Sequence, residues 1–260
     1  MKTMCIYGKG GIGKSTTAAN LAAAFAETGK KTGLIGCDPK ADSTRNIMGR
    51  KIPTVISLLG KEEENIAFTG YKDIVCVESG GPSPGTGCAG RGIIAALEEI
   101  KKREIFAGYD AVIYDVLGDV VCGGFSMPLR EQVADEVYLV TTCEFMSLYA
   151  ANNICRGIKK YAQTGKVRLA GIILNERSGI ARQEIVEKFA KKIGTKIVGK
   201  IPMSTEIALA EAERKTVIER FPESSASIIF RKLADRILRN EDLSIPTPLE
   251  EEELENLCRL

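Results

Sequence analysis

Eight residues, Gly8-Lys9-Gly10-Gly11-Ile12-Gly13-Lys14-Ser15, follow a short apolar run and lead into an alanine-rich stretch with helical spacing. Few features restrict a fold more. The glycines let successive backbone N–H groups close around an anion, and the start of the following helix adds a favourable dipole. A strand before and a helix after are the context that confirms a phosphate-binding loop. Lys14 is expected at the β- and γ-phosphates and Ser15 on Mg²⁺. A tight glycine turn without ligand is the alternative, but eight residues in this context seldom coincide.

The remainder of the chain supplies the fold that such a loop needs. Short β-branched runs at 4–7, 32–36, 73–77, 111–115, 136–141, 169–175 and 196–201 read as strands. Helical periods at 14–27, 92–106, 148–162, 182–193, 207–214 and 227–239 lie among them. Alternation of this kind predicts an α/β fold, a mostly parallel sheet covered by helices on both faces. Ligands in such sheets sit beyond the carboxyl ends of the strands. With 260 residues and 44% apolar side chains, one domain over 1–260 is expected, with a short acidic C-terminal extension. The acidic run at 250–255 reads as a solvated helix face.

Composition removes several function classes. A net charge of +2 gives no reason to expect nucleic acid or membrane as partner. No run approaches the roughly 20 apolar residues that cross a bilayer. The first strand starts within two residues of Met1, leaving no room for a signal peptide, so a cytoplasmic location is expected. Histidine is absent, which excludes imidazole–metal sites and His-dependent nucleophiles. The eight cysteines should then be thiols or metal ligands. Cys5, Cys76 and Cys155 have the apolar or helical surroundings of packing residues.

Acidic segments complete the nucleotide end. Asp115 closes the strand AVIYD, where a magnesium-facing carboxylate belongs. The segment GCDPKADS, residues 36–43, offers Asp38 to orient an attacking water and Asp42 to the outer Mg²⁺ shell. A turn-forming Asp-Pro pair also explains Asp38 without chemistry. Lys9 is a second lysine five positions before Lys14, as in the deviant Walker A group of dimerising ATPases. That likeness implies a lysine that reaches the partner subunit's nucleotide, where positive charge assists phosphoryl transfer. A solvated lysine is the alternative.

Two other cysteines stand apart. Cys88 in GTGCAGRG and Cys122 in GDVVCGGF are each flanked by glycine, which lets backbone N–H groups approach a cluster's sulfides. A helix start after Cys88 favours an anionic thiolate cluster. A [4Fe–4S] cluster takes four thiolates and one chain offers two, so a homodimer sharing one cluster is expected. Lys9 asks independently for that dimer. Zinc and inert buried thiols are the alternatives; close C-x₂₋₄-C pairs, usual for zinc, are absent. The seven residues from Asp115 to Cys122 span at most about 24 Å when extended, short enough to pass a movement from one to the other.

Taken together, YGKGGIGKST (7–16), GCDPKADST (36–44), CVESGGP (76–82), GCAGRG (87–92), YDVLGDVVCGGF (114–125) and YAANNI (149–154) closely resemble the nitrogenase iron protein family. LSIPTPLEEEELENL extends the likeness towards the end of the chain. The resemblance implies a homodimer with a [4Fe–4S] cluster on Cys88 and Cys122 and one MgATP per subunit. It implies single-electron delivery to a partner metalloenzyme, gated by ATP hydrolysis, with ferredoxin or flavodoxin as electron source. By the same match Lys9, Asp38 and Asp119 are catalytic. Gly8 to Thr16, Lys40, Asp42, Asp115 and Asn175 bind the nucleotide, Asn175 at the adenine. Arg91 and Phe125 lie on the docking surface by the cluster.

The chain departs from that family where Met203 and Ser204 replace the usual arginine and aspartate near the base. The interval before GYKDIVCVESGG is shorter than in nitrogenase reductases, and the end lacks their longer tail. Partners of the nitrogenase-like kind, acting on tetrapyrroles, nickel tetrapyrroles or methylthio-alkanes, therefore stay open beside nitrogenase. Two other function classes remain. A positioning or partitioning ATPase would want a basic surface or basic terminal helix, and this terminus is acidic. An iron–sulfur assembly scaffold would want a C-x-x-C pair, and none exists.

Overall fold

The computed structural model describes residues 1–61, 65–81, 89–118, 127–131, 133–176 and 182–259. Its strands are β1 (Lys2–Tyr7), β2 (Thr32–Cys37), β3 (Phe68–Thr69), β4 (Val75–Glu78), β5 (Ala111–Val116), β6 (Glu136–Thr141), β7 (Arg168–Glu176) and β8 (Ile197–Pro202). They form one eight-stranded sheet in the order β3-β4-β2-β5-β1-β6-β7-β8. Every pairing is parallel except that of β3 with β4. The mostly parallel sheet predicted from the alternating pattern is therefore present, with β3 as an antiparallel edge.

The helices are α1 (Lys14–Glu27), α2 (Arg45–Met48), α3 (Val55–Leu58), α4 (Ala89–Lys102), α5 (Met127–Arg130), α6 (Phe145–Tyr161), α7 (Gln183–Ile193), α8 (Thr205–Ala212), α9 (Val217–Arg220), α10 (Ser225–Leu238) and α11 (Glu251–Cys258). They bury two apolar layers against opposite faces of the sheet. Ile93, Leu148 and Phe189 of α4, α6 and α7 belong to one, with Leu254 of α11. Ala18, Phe25 and Phe230 of α1 and α10 belong to the other. The alanines of α1 at 18, 19, 22, 23 and 24 are all buried, and their small side chains let this helix lie close to the sheet.

Two elements differ from the pattern in their bounds for identifiable reasons. The strand expected at 73–77 begins only at Val75, because Lys72 and Asp73 adopt left-handed φ values of 52° and 60°. The helix expected at 92–106 starts three residues earlier, at Ala89, and ends at Lys102; Glu104 then takes a φ of 51°. Glycine at 90 and 92 obscured its true beginning.

The acidic run at 250–255 is indeed the first turn of a helix. Glu250 and Glu253 close a reciprocal capping box, and carboxylates there complement the helix dipole. Buried Asn152 of α6 holds the preceding segment: its amide donates to Leu249 O at 2.8 Å and accepts from Leu249 N at 2.8 Å. Asn152→Ala leaves Leu249 N buried without an acceptor, while Leu249 O keeps the Arg156 guanidinium at 3.1 Å; the change should cost about 1–3 kcal/mol, read from urea unfolding. No shift in midpoint would show that the C-terminal segment is held by its leucines alone.

Candidate functional site

Asp115 lies near the carboxyl end of β5, the strand between β1 and β2, in register with Ile6 on one side and Gly36 on the other. The loop after β1 and the loop after β2 therefore emerge on either side of it. Gly13, with φ 97°, turns the first loop into α1, so that Lys14 and Ser15 open the helix beside Asp115. Lys14 is 8% exposed, and its ammonium donates to Lys9 O at 3.3 Å. Lys9 itself is half-buried, while Gly10 and Gly11 are exposed and a Cβ there would meet nothing within 4 Å. An open glycine backbone beside a helix start and a buried lysine suits a polyphosphate.

The carboxylate of Asp115 is 2% exposed and its Oδ1 has no hydrogen-bond partner. Burial pushes its pKa up, against the pull of the Lys14 ammonium and the Ser15 and Ser43 hydroxyls. A buried carboxylate with an idle oxygen beside a serine hydroxyl is the donor set that a hard cation takes. The residues fit MgATP.

The loop after β2 carries Asp38, half-buried, and Lys40 and Asp42, both exposed. Asp38 Oδ1 accepts from Lys40 N at 2.9 Å, the local turn bond expected of Asp-Pro, and its carboxylate lies close enough to raise the pKa of Asp115. Asn175 is buried at the end of β7 and donates to Ile12 O at 2.7 Å. Its amide is thus tied to the phosphate loop. It also lines a cavity of about 200 Å³ with Gly13, Pro202, Met203, Ser204 and Glu211. Thr16 Oγ1 donates to Glu211 across that cavity. Met203 is 76% exposed at the position where the departure from the family pattern falls.

Cys88, Asp119, Cys122 and Phe125 lie outside the described residues, and Arg91 is exposed on the first turn of α4. The described chain nevertheless reaches both cysteine segments. Gly118 sits against the phosphate loop: a Cβ there would lie 2.5 Å from Gly10 N and 2.8 Å from Lys14 Nζ. Gly81 sits against the loop after β2, where a Cβ would lie 2.9 Å from Pro39 Cβ. Cys5, Cys76 and Cys155 are buried, as expected of packing residues, and Cys37 is buried too.

One buried residue beside the site carried no assignment from sequence. Glu78, ending β4, is fully buried. Its Oε1 accepts from Thr44 N at 2.7 Å and Thr44 Oγ1 at 2.8 Å, and its Oε2 has no partner. The CVESGGP segment was visible, but an acidic residue inside an apolar run gives no sign of being buried.

Comparison with known proteins decides the family. Residues 2–259 match the family described as 4Fe-4S iron sulfur cluster binding proteins, NifH/frxC family. The chain belongs to this family. It is 51% identical to the nitrogenase iron protein of Methanococcus voltae, covering 99% of this chain and 95% of that protein. It is 52% identical to the nitrogenase iron protein of Methanospirillum hungatei JF-1, covering 100% and 95%. Among solved structures, the septum site-determining protein MinD complexed with Mg-ADP from Pyrococcus horikoshii superposes with a TM-score of 0.73 at 20% identity, over 91% of this chain and 95% of that one. A ParA family ATPase from Chlorobium tepidum gives 0.67 at 21%, over 90% and 97%. Those two likenesses concern the fold alone. As a NifH/frxC protein, the chain is an ATP-hydrolysing iron–sulfur oxidoreductase that binds a [4Fe–4S] cluster and MgATP. Among the described residues no helix is long and apolar enough to cross a membrane.

The buried carboxyl of Glu78 gives a pH signature. Burial raises its pKa from 4.5 to about 7, partly offset by the two Thr44 hydrogen bonds, while Asp115 and Asp42 add to the rise. Through that window the folded chain keeps a proton that the unfolded chain releases. Stability of the nucleotide-free protein therefore falls as pH rises from about 4.5 to about 7. Glu78→Gln should flatten this decline, seen as a smaller difference between urea midpoints at about pH 5 and about pH 7.5. An undiminished difference would mean that other groups, Asp115 first among them, carry it.

Proposed function

We propose that this NifH/frxC protein works as a homodimer. Its two copies share one cluster through Cys88 and Cys122 and pass single electrons to a nitrogenase or nitrogenase-like metalloprotein. ATP hydrolysis gates each transfer, and a ferredoxin or flavodoxin supplies the electrons. The chain acts as one domain over 1–260. The observation that carries this reading is Gly118, packed within van der Waals reach of the phosphate loop four residues before Cys122. A nucleotide that displaces the loop or Lys14 must displace the start of the cysteine segment with it.

Each side chain has a role in this reading. Gly8 to Gly13 present backbone N–H groups to the phosphates, with Ile12 O tied to Asn175. Lys14 neutralises the β- and γ-phosphate oxygens, and Ser15 and Thr16 lie at the Mg²⁺ and α-phosphate end. Asp115 and Asp42 hold the waters of the Mg²⁺ shell, with Lys40 beside them. Asp38 orients the attacking water; Asp119 and Lys9 act on the transferring group, Lys9 from across the dimer. Asn175 stands between the loop and the cavity that takes the adenine. When bound, the cluster takes up and releases one electron at a time. Arg91, exposed on α4 just after Cys88, and Phe125 present the surface that meets the partner.

Nitrogenase itself is favoured over the nitrogenase-like partners by the identity of 50–52% to several methanogen nitrogenase iron proteins along nearly the whole chain. Met203 and Ser204 line the cavity proposed for the base.

Anaerobic purification tests the reading. The expected product is a brown dimer with about four irons per pair of chains. Cys122→Ser should lose the iron and keep MgATP binding. Lys14→Gln should keep the iron and lose MgATP-dependent access of a ferrous chelator to it. A colourless, iron-free dimer with ATPase activity would contradict the proposal, as would loss of nucleotide binding in Cys122→Ser.

A further inference from the structure

The carboxylate of Glu78 sits between two segments that the reading above connects only through Asp115 and Gly118. On one side is the loop after β2, which carries Asp38 and Asp42. On the other is the chain leaving β4, which continues through Ser79, Gly80 and Gly81 towards Cys88. Both of Glu78's hydrogen bonds go to Thr44, the last residue before α2. Ser79 N donates to Gly36 O at 2.8 Å, and Gly81 abuts Pro39. The two segments thus touch at Glu78, Ser79 and Gly81, the first of these through a buried carboxylate.

Packing alone does not explain a carboxylate here. A neutral acceptor would satisfy Thr44 without the cost of burying charge. Position 36 has given way to it: a Cβ on Gly36 would stand 1.9 Å from Glu78 Oε2 and 2.8 Å from Ser43 Cβ. Oε2, buried beside Gly36 and Ser43, has no hydrogen-bond partner in this arrangement. A buried acceptor without a partner, next to the loop it clamps, is a contact that a small shift of 42–44 would alter.

We propose that Glu78 is a positioning residue that clamps the loop after β2, through Thr44, to the end of β4, so that the segment leading to Cys88 follows the nucleotide loop. The cluster would then be reached by two routes, one through 115–122 and one through 78–88. The inference rests on the function proposed above and deepens it.

The test uses the anaerobic holoprotein and three readouts: the rate at which a ferrous chelator removes iron with and without MgATP, the affinity for MgATP, and the EPR signal of the reduced, nucleotide-free protein. Glu78→Ala removes both hydrogen bonds to Thr44, so the acceleration of chelation by MgATP should fall about tenfold. Affinity for MgATP should stay within about threefold, and the nucleotide-free EPR signal should be unchanged. Glu78→Gln keeps the acceptor oxygen and should retain most of the acceleration. Thr44→Val removes one of the two bonds and should give an intermediate loss, which serves as the test if Glu78→Ala does not fold. Full acceleration in both Glu78→Ala and Thr44→Val overturns the clamp and leaves the function intact. Loss of MgATP binding in step with the acceleration also overturns it, since Glu78 then merely supports the nucleotide pocket. No acceleration in the unsubstituted protein overturns the function itself.

Discussion

Burying a carboxylate at the end of a central strand is expensive, and this fold does it twice within one register step. Asp115 on β5 and Glu78 on β4 both pair across β2 with Gly36, and each keeps one oxygen without a partner. Neither arrangement would persist if the sole task were a stable core. The sheet tolerates them because hydrophobic layers on both faces hold the strands in place regardless of what their carboxyl ends do. Stability from the layers, and unsatisfied charge at the edge, are separate regions of one molecule. That separation would let the loops rearrange, as the proposed function requires, while the strands stay fixed.

Glycine is what brings the moving parts together. Gly118 touches the phosphate loop, Gly81 touches Pro39, and Gly36 leaves room for the Glu78 carboxylate. A side chain at any of these would force the loops apart and loosen their mechanical connection. A nucleotide seated on Gly10 and Gly11, as proposed, would lie beside both segments that run to the cysteines. No contiguous wire through the core is needed; the loops lean on each other directly.

Much of this was legible in the residues. The strand–loop–helix context of Gly8 to Ser15 required a parallel sheet, and the β-branched runs located seven of its strands to within a residue or two. The position of Asp115 followed from the end of AVIYD. Less legible was anything that depends on two distant segments meeting. The strand Phe68–Thr69 is too short to carry a period and exists only because β4 has a free edge. Glu78 sits in an apolar run as any strand residue would, and its burial follows from the return of 42–44 across it. Asn175 stood out by its place at a strand end, but its bond to Ile12 O is a contact across 163 residues. Local chemistry reads from sequence; shared chemistry needs the fold.

Coupling between the nucleotide loops and the two cysteine segments is the centre of the matter. Hydrogen–deuterium exchange on the anaerobic holoprotein, with and without MgATP, reports it peptide by peptide. If the loops lean on one another as the contacts around Gly36, Gly81 and Gly118 require, exchange changes together in 8–17, 36–44, 76–90 and 111–122, while β6 to β8 stay as they were. A change confined to 8–17 would contradict it, showing that the nucleotide is held without moving the chain that holds the cysteines.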